Sequence, residues 1–375
     1  MAKQKRKRRS KKAAFELPLF AVILLVALAV VVYVLYTRGF FDKWLKKNDV
    51  ITDELQIHFL ETGNKYSGDC VLIKSGDTEV LVDAGSRQSS AETIVSYVNN
   101  YCTDGILEYV IVTHAHDDHI AGFIGKASVP GVFESYECKT IIDFDKTNRS
   151  LQTASGNPSS YQEYLNKRDA EVAAGAVHYT ALDCYNNAGG AKRSYELAPD
   201  ITLNFLYQDF YVGYSPAENN YSVCFLLSQG NNHYLFTGDL EKEGEKSLVE
   251  NNDLPKCKLF KAGHHGSDTS SKEELLSVIQ PEIVCVTCCC GWYEYNQKEQ
   301  ANVFPSQAFC DRVKKYTDKI YVTTIYSETA EDNHEPLNGN IVISSNGGEV
   351  KVTCSGSAEP FTQSEWYKTY RANAA

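Results

Sequence analysis

The chain has 375 residues, of which 48 are acidic and 37 basic, so its formal net charge is −11. An acidic protein does not attract polyanions by its overall field, which disfavours tight DNA binding by charge alone, although a local basic groove is compatible with it. Hydrophobic residues make up 43% of the chain and charged residues 23%, a balance that favours an ordered globular protein over a disordered one.

The N-terminus combines a basic tail with a long apolar run. Eight of the first twelve residues are Lys or Arg, and residues 17–36 form an uncharged run of twenty residues. At a rise of 1.5 Å per residue, a helix of this length crosses the ~30 Å hydrocarbon layer of a bilayer. No A-x-A cleavage pattern follows, so we predict an uncleaved signal anchor rather than a signal peptide. The transmembrane helix is assigned to residues 17–37, after a basic tail of residues 1–16.

Flanking charge predicts the orientation of this helix. Basic residues are more numerous before it than after it, and the positive-inside rule therefore places the N-terminus in the cytoplasm. The chain is thus predicted to be a single-pass protein of the cell membrane, with the lipid bilayer as a partner and the C-terminal part outside the cell.

The twelve cysteines favour a different location, because secreted domains usually keep their cysteines in disulfides. Cys224 and Cys285 lie in apolar, strand-like runs, where cysteine behaves as a small hydrophobic residue. We therefore predict free, buried thiols. They fit a cytosolic domain, or an extracellular domain of an organism that lives without oxygen.

Strands and helices follow a juxtamembrane linker of residues 38–52. The predicted elements, in chain order, are a strand (55–60), a hairpin (70–85), a helix (92–101), a strand (106–113), a helix (159–176), a strand (201–210), a hairpin (221–240), a short helix (243–251), a strand (256–262), and then alternating helices and strands closed by a hairpin (340–354). Both halves mix strands, hairpins and helices, which predicts an α/β fold of two packed sheets with helices outside. This domain spans residues 53–357 and precedes a C-terminal tail of residues 358–375.

A cluster of histidines and aspartates follows the strand predicted at 106–113. The segment VTHAHDDHIAG contains the pattern His-x-His-x-Asp-His, formed by His114, His116, Asp118 and His119. Imidazole and carboxylate groups suit zinc and similar divalent ions, and a tight loop can aim them at two nearby points. The sequence therefore predicts half of a two-metal site here.

Two later segments supply the remaining candidate ligands. LFTGDLE ends a predicted strand with Asp239, and FKAGHHGSDTSS ends another with His264 and His265. Because all three groups follow predicted strands, we expect them to converge at one edge of the sheets.

These motifs resemble the metallo-β-lactamase-fold hydrolases and, within that family, the extracellular hydrolase domain of ComEC-type competence proteins. The resemblance covers about residues 53–355. It depends on six segments in the family's order: VDAG, VTHAHDDHIAG, ENNYSVCFLL, LFTGDLEKEGEKSL, KLFKAGHHGSDTSS and NGNIVI. It implies a four-layer αββα sandwich and two divalent metal ions, zinc or manganese.

The resemblance also assigns roles to residues. The implied metal ligands are His114, His116, Asp118, His119, Asp239 and His265. The first two would bind one ion, Asp118, His119 and His265 the other, and Asp239 would bridge both. Asp118 and His264 are the implied catalytic residues, although the roles of His264 and His265 could be reversed. Asp83 would support the metal loops from behind.

This chain departs from the family pattern at two places. Many members have a histidine ligand where an ungapped match puts Glu218, and the candidate replacements are Glu218, Asn219, Asn220 or a water. The absence of this histidine lowers the expected affinity of the first site for its metal ion and disfavours an efficient β-lactamase. Phe304 stands where ComEC-type domains often have histidine. Glu241 and Lys261 are weaker candidates for contacts near the substrate.

The leading functional hypothesis is a membrane-anchored, metal-dependent phosphodiesterase or nuclease of the ComEC type. Asp118 would accept a proton from the attacking water, and His264 would stabilise negative charge or protonate the leaving oxygen. The substrate would be a phosphodiester, with single-stranded DNA as a candidate. One alternative is an esterase for a choline-substituted cell-envelope polymer, and another is an anchored, non-catalytic scaffold with a decayed metal site.

Overall fold

The computed structural model of the protein describes residues 54–294 and 302–372, apart from the side chain of Glu331. From Thr52 onward the chain forms one compact unit. The predicted basic tail, membrane span and linker, residues 1–52, lie outside the described residues. Within the described part of the chain, no helix has both the length and the apolar character needed to span a bilayer.

Most of the described strands lie close to predicted ones. The strands are β1 (Leu55–Phe59), β2 (Val71–Ser75), β3 (Thr78–Val82), β4 (Ile106–Ile111), β5 (Gly125–Lys126), β6 (Val129–Pro130), β7 (Glu137–Asp143), β8 (Val177–Thr180), β9 (Ser194–Ala198), β10 (Ile201–Phe205), β11 (Phe225–Gln229), β12 (Asn232–Phe236), β13 (Leu259–Lys261), β14 (Ile283–Cys290), β15 (Ile320–Tyr326), β16 (His334–Pro336), β17 (Ile341–Ser345) and β18 (Val350–Cys354). Of these, β5 to β9 and β16 were not predicted from the sequence.

Five of the described helices correspond to predicted ones. The helices are α1 (Ser90–Val98), α2 (Asp117–Ile124), α3 (Val132–Ser135), α4 (Ser160–Ala174), α5 (Ala181–Asn186), α6 (Lys242–Asn251), α7 (Glu273–Ile279), α8 (Gln307–Val313) and α9 (Glu365–Tyr370). Of these, α2, α3, α5 and α9 were not predicted, and α2 contains Asp118 and His119, which were expected in a loop. The serine cap predicted for α4 is present, because the Ser159 hydroxyl accepts a hydrogen bond from the Gln162 N–H at 3.2 Å.

Two eight-stranded sheets form the body of the domain. The first has the order β18-β17-β1-β2-β3-β4-β7-β8, and the second has the order β16-β15-β14-β13-β12-β11-β10-β9. In each sheet an antiparallel hairpin leads into parallel strands, β3-β4-β7-β8 in the first and β12-β13-β14-β15 in the second. The chain returns at its end to pair β17 antiparallel with β1.

The sheets pack face to face, and helices pack against them. Phe59 of β1 stacks on Phe236 of β12 with ring centroids 6.3 Å apart, and both rings are buried between the sheets. A second apolar cluster joins β13 and β14 to α6, α7 and α8, with Phe260, Leu276 and Phe309 buried within it. The predicted mixed α/β fold with two packed sheets is therefore confirmed.

Two further sequence-based expectations concern the C-terminus and the cysteines. In the segment predicted as a C-terminal tail, α9 buries Tyr367 beside Phe361 in the second apolar cluster. All twelve cysteines are free thiols, and all but Cys354 are buried. The predicted free thiols at Cys224 and Cys285 are confirmed.

Candidate metal centre

Strand ends from both sheets bring the predicted ligands together. In the first sheet, β3 leads to Asp83, and β4 leads to His114 and the start of α2. In the second sheet, β12 leads to Asp239, and β13 leads to His264 and His265. These strands run parallel to their neighbours, so their carboxyl ends meet at one edge of the sandwich.

Four side chains meet at one point, and we call them the four-residue cluster: Asp118, His119, Asp239 and His265. Each offers a ligand atom, and these atoms all lie within 4.8 Å of one another. The Nε2 of His119 lies 3.2 Å from Asp239 Oδ2. The Nε2 of His265 lies 3.3 Å from Oδ2 of both Asp118 and Asp239. The sequence had assigned these four residues to the second metal and to the bridge.

The unsatisfied polar atoms of this cluster fit a metal ion. His119 Nε2, His265 Nε2 and both carboxylate oxygens of Asp239 are buried and have no hydrogen-bond partner among the described residues. Leaving a buried polar atom unpaired costs about 1–3 kcal/mol. Two imidazoles and two carboxylates are a donor set that zinc and similar divalent ions prefer, and one ion would satisfy all of these atoms.

The imidazoles of the cluster are held with Nε2 facing inward. His119 Nδ1 lies 2.8 Å from Asp83 Oδ2, and His265 Nδ1 lies 2.9 Å from the carbonyl oxygen of Thr287. Asp83 in turn accepts hydrogen bonds from both the N–H and the hydroxyl of Thr113, each at 2.7 Å. Such outer partners fix the tautomer of a ligating histidine, so Asp83 has the supporting position predicted for it.

The electrostatics of the cluster favour a cation. Burial by itself lowers the pKa of a histidine, yet the Asp239 and Asp83 carboxylates raise the pKa of His119 well above its usual value. Burial also opposes a charge on His265, whose pKa is nevertheless raised by Asp239 and Asp69. Negative charge therefore exceeds positive charge at this point, as a divalent ion requires.

His114 and His116 form a separate pair beside the cluster. His114 Nε2 lies 3.0 Å from His116 Nδ1, so the two nitrogen atoms point at the same region. The other ring nitrogen of His114 lies 3.2 Å from Thr113 Oγ1. Among the described residues, the groups of three or more potential ligands include neither His114 nor His116. Within the described ranges, this pair therefore belongs to no compact group of three ligands, although the centroid of the His114 ring lies 4.1 Å from that of the His119 ring.

The three candidate replacements for the missing histidine differ in their surroundings. Glu218 accepts hydrogen bonds from the Thr147 hydroxyl at 2.8 Å and the Asn148 N–H at 2.5 Å, so its carboxylate holds that loop. The Oδ1 of Asn220 accepts the Glu241 N–H at 3.1 Å.

Asn219 is the exception. Its Oδ1 is buried and has no partner among the described residues. Its Nδ2 donates to Glu241 Oε1 at 3.0 Å, which fixes the orientation of the amide because a carboxylate accepts hydrogen bonds only from the nitrogen. Of the three residues, Asn219 is the one with an oxygen available for a cation, and Glu241 has a supporting contact.

His264 lies at the rim of the cluster. Its Nε2 is 4.0 Å from Asp239 Oδ2, its Nδ1 is 2.8 Å from Thr269 Oγ1, and the ring of Phe304 packs edge-on at 5.9 Å. Burial lowers the pKa of His264 to about 4, so the imidazole is neutral at pH 7. Both His264 (φ 46°) and His265 (φ 52°) have left-handed backbone conformations, a strain of the kind that persists at functional sites.

Lys261, a predicted candidate for contacts near the substrate, is buried among the carboxylates of the site. Its side chain is only 3% exposed, and its ammonium pairs with the Asp69 carboxylate and lies 3.5 Å from Asp239 Oδ1. A buried ammonium needs a negative partner, and the carboxylates beside the metal centre supply it. Lys261 therefore supports the cluster from inside the protein.

Asp69 was missed by sequence reasoning. It precedes β2, whereas the ligands predicted from the sequence lie in segments that follow strands. Besides Lys261, its carboxylate contacts His265 Nδ1 at 3.3 Å and accepts a hydrogen bond from the Thr287 hydroxyl. Burial would raise the pKa of Asp69, but Lys261 and His265 lower it below its usual value.

Glu294 was missed as well. Its carboxylate accepts a hydrogen bond from the Ser67 hydroxyl, and burial raises its pKa to about 7. His265 and Asp118 lie close enough to influence its charge. The sequence signal was weak, because Glu294 lies in an irregular segment after β14.

Comparisons with known proteins agree with this geometry. Residues 63–126, which include the first three histidines of the site, match the metallo-beta-lactamase superfamily. Recombination protein 2 of Haemophilus influenzae is 29% identical over 109 residues, which are 29% of this chain and 13% of that protein. ComE operon protein 3 of Bacillus subtilis is 35% identical over 71 residues, which are 19% of this chain and 9% of that protein.

The chain therefore spans about a tenth of the length of these two relatives. Among solved structures, the metallo-beta-lactamase fold protein YhfI from Bacillus subtilis aligns with 78% of this chain and 100% of its own, at 13% identity and a TM-score of 0.41. The family match and the two relatives confirm the resemblance predicted from the sequence: residues 63–126 are a metallo-beta-lactamase superfamily segment, and part of this chain is similar to ComEC-type proteins.

Proposed function

We propose that this chain is a metal-dependent hydrolase that cleaves phosphodiesters, built on a four-layer αββα sandwich. Residues 17–37 would anchor it in the cell membrane with the hydrolase domain outside. The observation that carries the proposal is the four-residue cluster, in which the converging atoms of His119, Asp239 and His265 are buried without hydrogen-bond partners among the described residues. Partial similarity to two ComEC-type proteins supports the choice of a phosphodiester.

Two groups of residues would hold the metal ions. The four-residue cluster would hold one, and His114, His116 and the Oδ1 of Asn219 would hold the other, with Asp239 shared. Divalent ions bound there supply Lewis acidity toward a phosphoryl oxygen and lower the pKa of water from 15.7 to roughly 7.

The protein's own groups would orient the reactants and move protons. Asp118 is the most exposed member of the cluster, with 36% of its side chain accessible, so its carboxylate can accept a proton from an attacking water. The Thr269 hydroxyl holds His264 at Nδ1, which leaves Nε2 to donate a hydrogen bond to a substrate oxygen as negative charge develops. The closed packing of Phe304 against His264 restricts water on that side.

The intact cluster argues against the scaffold hypothesis. A protein that had lost its chemistry would have no need for a buried cluster of carboxylates and imidazoles, several of whose ligand atoms lack hydrogen-bond partners among the described residues, because burying such groups is costly. The cell-envelope hypothesis uses the same residues and the same reaction, so only a comparison of substrates separates it from the nuclease hypothesis.

The test combines metal content with phosphodiester hydrolysis by the purified full chain. Zinc- or manganese-loaded protein should hydrolyse bis(p-nitrophenyl) phosphate and a single-stranded oligonucleotide, and Asp118→Ala should abolish both activities while the circular dichroism spectrum is retained. A choline-substituted envelope polymer is the third substrate. If the protein hydrolysed this polymer in preference to the other two, the envelope-esterase function would replace the nuclease function. Absence of bound metal and of hydrolysis of all three substrates would refute the enzyme proposal.

A further inference from the structure

A continuous groove runs along the surface beside the metal centre. Two cavities, of about 330 and 460 Å³, share Asp117 and Ser160 in their walls. A third cavity, of about 680 Å³, shares Gln88 and Lys126 with the second. We call these three connected cavities the Asp117 groove.

The groove borders the metal centre on two sides. Asp117 itself stands between His116 and Asp118 in the chain. On one side, the wall includes Ser86, which follows Gly85 in the chain. The backbone of Gly85 packs against that of Asp118, and a Cβ at Gly85 would lie only 1.5 Å from the Asp118 carbonyl oxygen.

On the other side, the wall includes Asn148, which donates its N–H to Glu218 at 2.5 Å. Glu218 is the neighbour of Asn219, whose buried Oδ1 is the proposed ligand of the second ion. A polymer lying in the groove would therefore reach the metal centre where the walls meet at Asp117.

The groove carries exposed cations on an otherwise acidic protein. Arg87, Lys126 and Arg149 are exposed in its walls, and none of the three forms an ion pair with any residue in the described ranges. The acidic groups in the walls are Asp117, Glu134 and Glu163. Glu134 pairs with Lys167, and Glu163 accepts a hydrogen bond from Gln88 at 3.0 Å, both within the walls, so cations outnumber acidic groups there by one. Unpaired cations in a row attract the phosphates of a chain.

Aromatic side chains lie among these cations. Tyr66 is 38% exposed, and the Arg87 guanidinium stacks 4.0 Å from its ring centroid, which gives the groove a flat platform. Tyr161 lines the opposite part. Aromatic platforms interleaved with cations are typical of sites for single-stranded nucleic acid, because every unpaired base can stack on them.

We propose that the Asp117 groove binds the stretch of single-stranded nucleic acid that flanks the phosphodiester in the metal centre. Arg87, Lys126 and Arg149 contact phosphates, and Tyr66 stacks on a base. This inference rests on the proposed phosphodiesterase function and adds an extended binding site to it. The substrate is thus a polymer that is gripped beside the bond to be cleaved, rather than a mononucleotide or a small diester.

The experiment compares turnover of long and short substrates. The full chain and its Arg87→Ala, Lys126→Ala, Arg149→Ala and Tyr66→Ala variants are assayed on an oligonucleotide of about 20 nucleotides, longer than typical single-strand sites, and on bis(p-nitrophenyl) phosphate. Each variant should lower the ratio of kcat/KM for the oligonucleotide to that for the small diester by about tenfold, through KM. Each lost cationic side chain should also reduce the slope of log binding constant against log salt concentration by about one, because one phosphate contact is lost.

Lys351→Ala is the matched control, because Lys351 is exposed on β18 and lies in none of the three cavity walls. This variant should behave as the wild type. An unchanged ratio in all four groove variants would overturn the proposal, as would losses confined to the envelope polymer.

Equilibrium binding separates failure of the groove from failure of the enzyme. Fluorescence anisotropy of the labelled oligonucleotide is measured for the same variants without turnover. If the wild type hydrolyses none of the substrates, the proposed function fails. The groove is then tested by binding alone: the four groove variants should bind the oligonucleotide more weakly than the wild type, and Lys351→Ala should not. Equal binding by all variants would overturn the inference even in an active enzyme.

Discussion

The four-residue cluster and the His114–His116 pair lie side by side but differ in how completely they are built. The cluster joins two imidazoles and two carboxylates from both sheets, all within 4.8 Å of one another. The pair has two nitrogens 3.0 Å apart, and the third ligand proposed for it is the neutral oxygen of Asn219, which has no hydrogen-bond partner among the described residues. A carboxylate attracts a divalent ion by charge, whereas an amide oxygen does so only by its dipole. We therefore expect two ions to bind with unequal affinity.

The surroundings enlarge this difference. Behind the cluster, Asp83 and Asp69 are buried and hold the Nδ1 sides of His119 and His265, at 2.8 and 3.3 Å respectively. Lys261 neutralises part of their charge. The pair has weaker support, since His114 Nδ1 contacts only hydroxyls, those of Thr113 at 3.2 Å and Ser222 at 3.5 Å. Buried charges thus organise one half of the centre, and neutral groups organise the other.

Replacing Asp239 should have the largest effect, because its carboxylate belongs to the cluster and is the ligand proposed to be shared by both ions. Asp239→Ala removes a ligand that would be shared, so both ions should be lost. Loss of several kcal/mol of charge stabilisation corresponds to a fall in kcat/KM on the order of 10³-fold or more. Metal content by mass spectrometry and hydrolysis of bis(p-nitrophenyl) phosphate measure the two effects.

Asp117→Ala is the control for metal content, since Asp117 is a neighbouring carboxylate outside the cluster. It should retain both ions. If Asp239→Ala also retained them, neither half of the centre would depend on this residue, and the assignment of a shared ligand would be wrong.

Lys261→Met tests whether charge organises the cluster. The variant leaves Asp69 and Asp239 buried without their ammonium partner, and breaking such a buried pair costs about 3–5 kcal/mol. Denaturant unfolding in the presence of a chelator should show this loss of stability. Zinc should restore part of it, because a bound cation replaces the missing charge.

Lys258→Met is the matched control from the same segment. Lys258 pairs with Glu282 at the surface, where an ion pair contributes about 0–1 kcal/mol. Similar losses in the two variants would mean that Lys261 acts through packing alone, and the charge-based distinction between the two halves would fail.

The residues of the site that lie in short contiguous motifs could be predicted from the sequence. His114 to His119 and Asp239 follow strands of clear apolar pattern, and strand ends meet at one edge of a sandwich, so convergence could be expected. The sequence left open which of His264 and His265 is the ligand, and the distances separate them: Nε2 of His265 lies 3.3 Å from Asp239 Oδ2, and Nε2 of His264 lies 4.0 Å from it.

The supporting residues could not be predicted in this way. Asp69 reaches the site from the start of β2, and its partners Lys261 and Thr287 come from β13 and β14, far apart in the chain. Such contacts depend on how the two sheets face each other, which local periodicity does not encode. The same limit applies to Glu218 and Asn219. They are adjacent in the chain, so the sequence alone could not decide which of the two replaces the missing histidine.

Asn219 offers a way to change the weaker half alone. Asn219→His supplies a nitrogen ligand of the kind found in many family members, and it should raise the affinity for the second equivalent of zinc by about 10- to 100-fold, the range in which a well-placed group affects metal binding. Asn219→Ala should lower that affinity. Competition with a chromophoric chelator gives both constants, and the spectrum of the cobalt-substituted protein reports the change in ligands.

Asn220→Ala is the control for local structure, because Asn220 bonds to Ser215 and Glu241 rather than facing the pair. It should leave the ligand spectrum unchanged. If Asn219→His instead changed the affinity for the first, more tightly bound zinc ion, Asn219 would belong to the four-residue cluster.

Thr113→Val should give the smallest effect, and it distinguishes the two halves through a residue that touches both. The Thr113 hydroxyl lies 2.7 Å from Asp83 Oδ2 and 3.2 Å from the Nδ1 of both His114 and His119. Valine keeps the shape and the backbone N–H bond to Asp83, so the cluster retains one of the two supports of that carboxylate. His114 instead loses one of its two hydroxyl contacts. The affinity for the weaker ion should therefore fall by about tenfold and that for the tighter ion by less, as the same chelator competition would measure. A larger loss at the tighter ion would mean that the hydroxyl, and not the buried charge of Asp83, fixes His119.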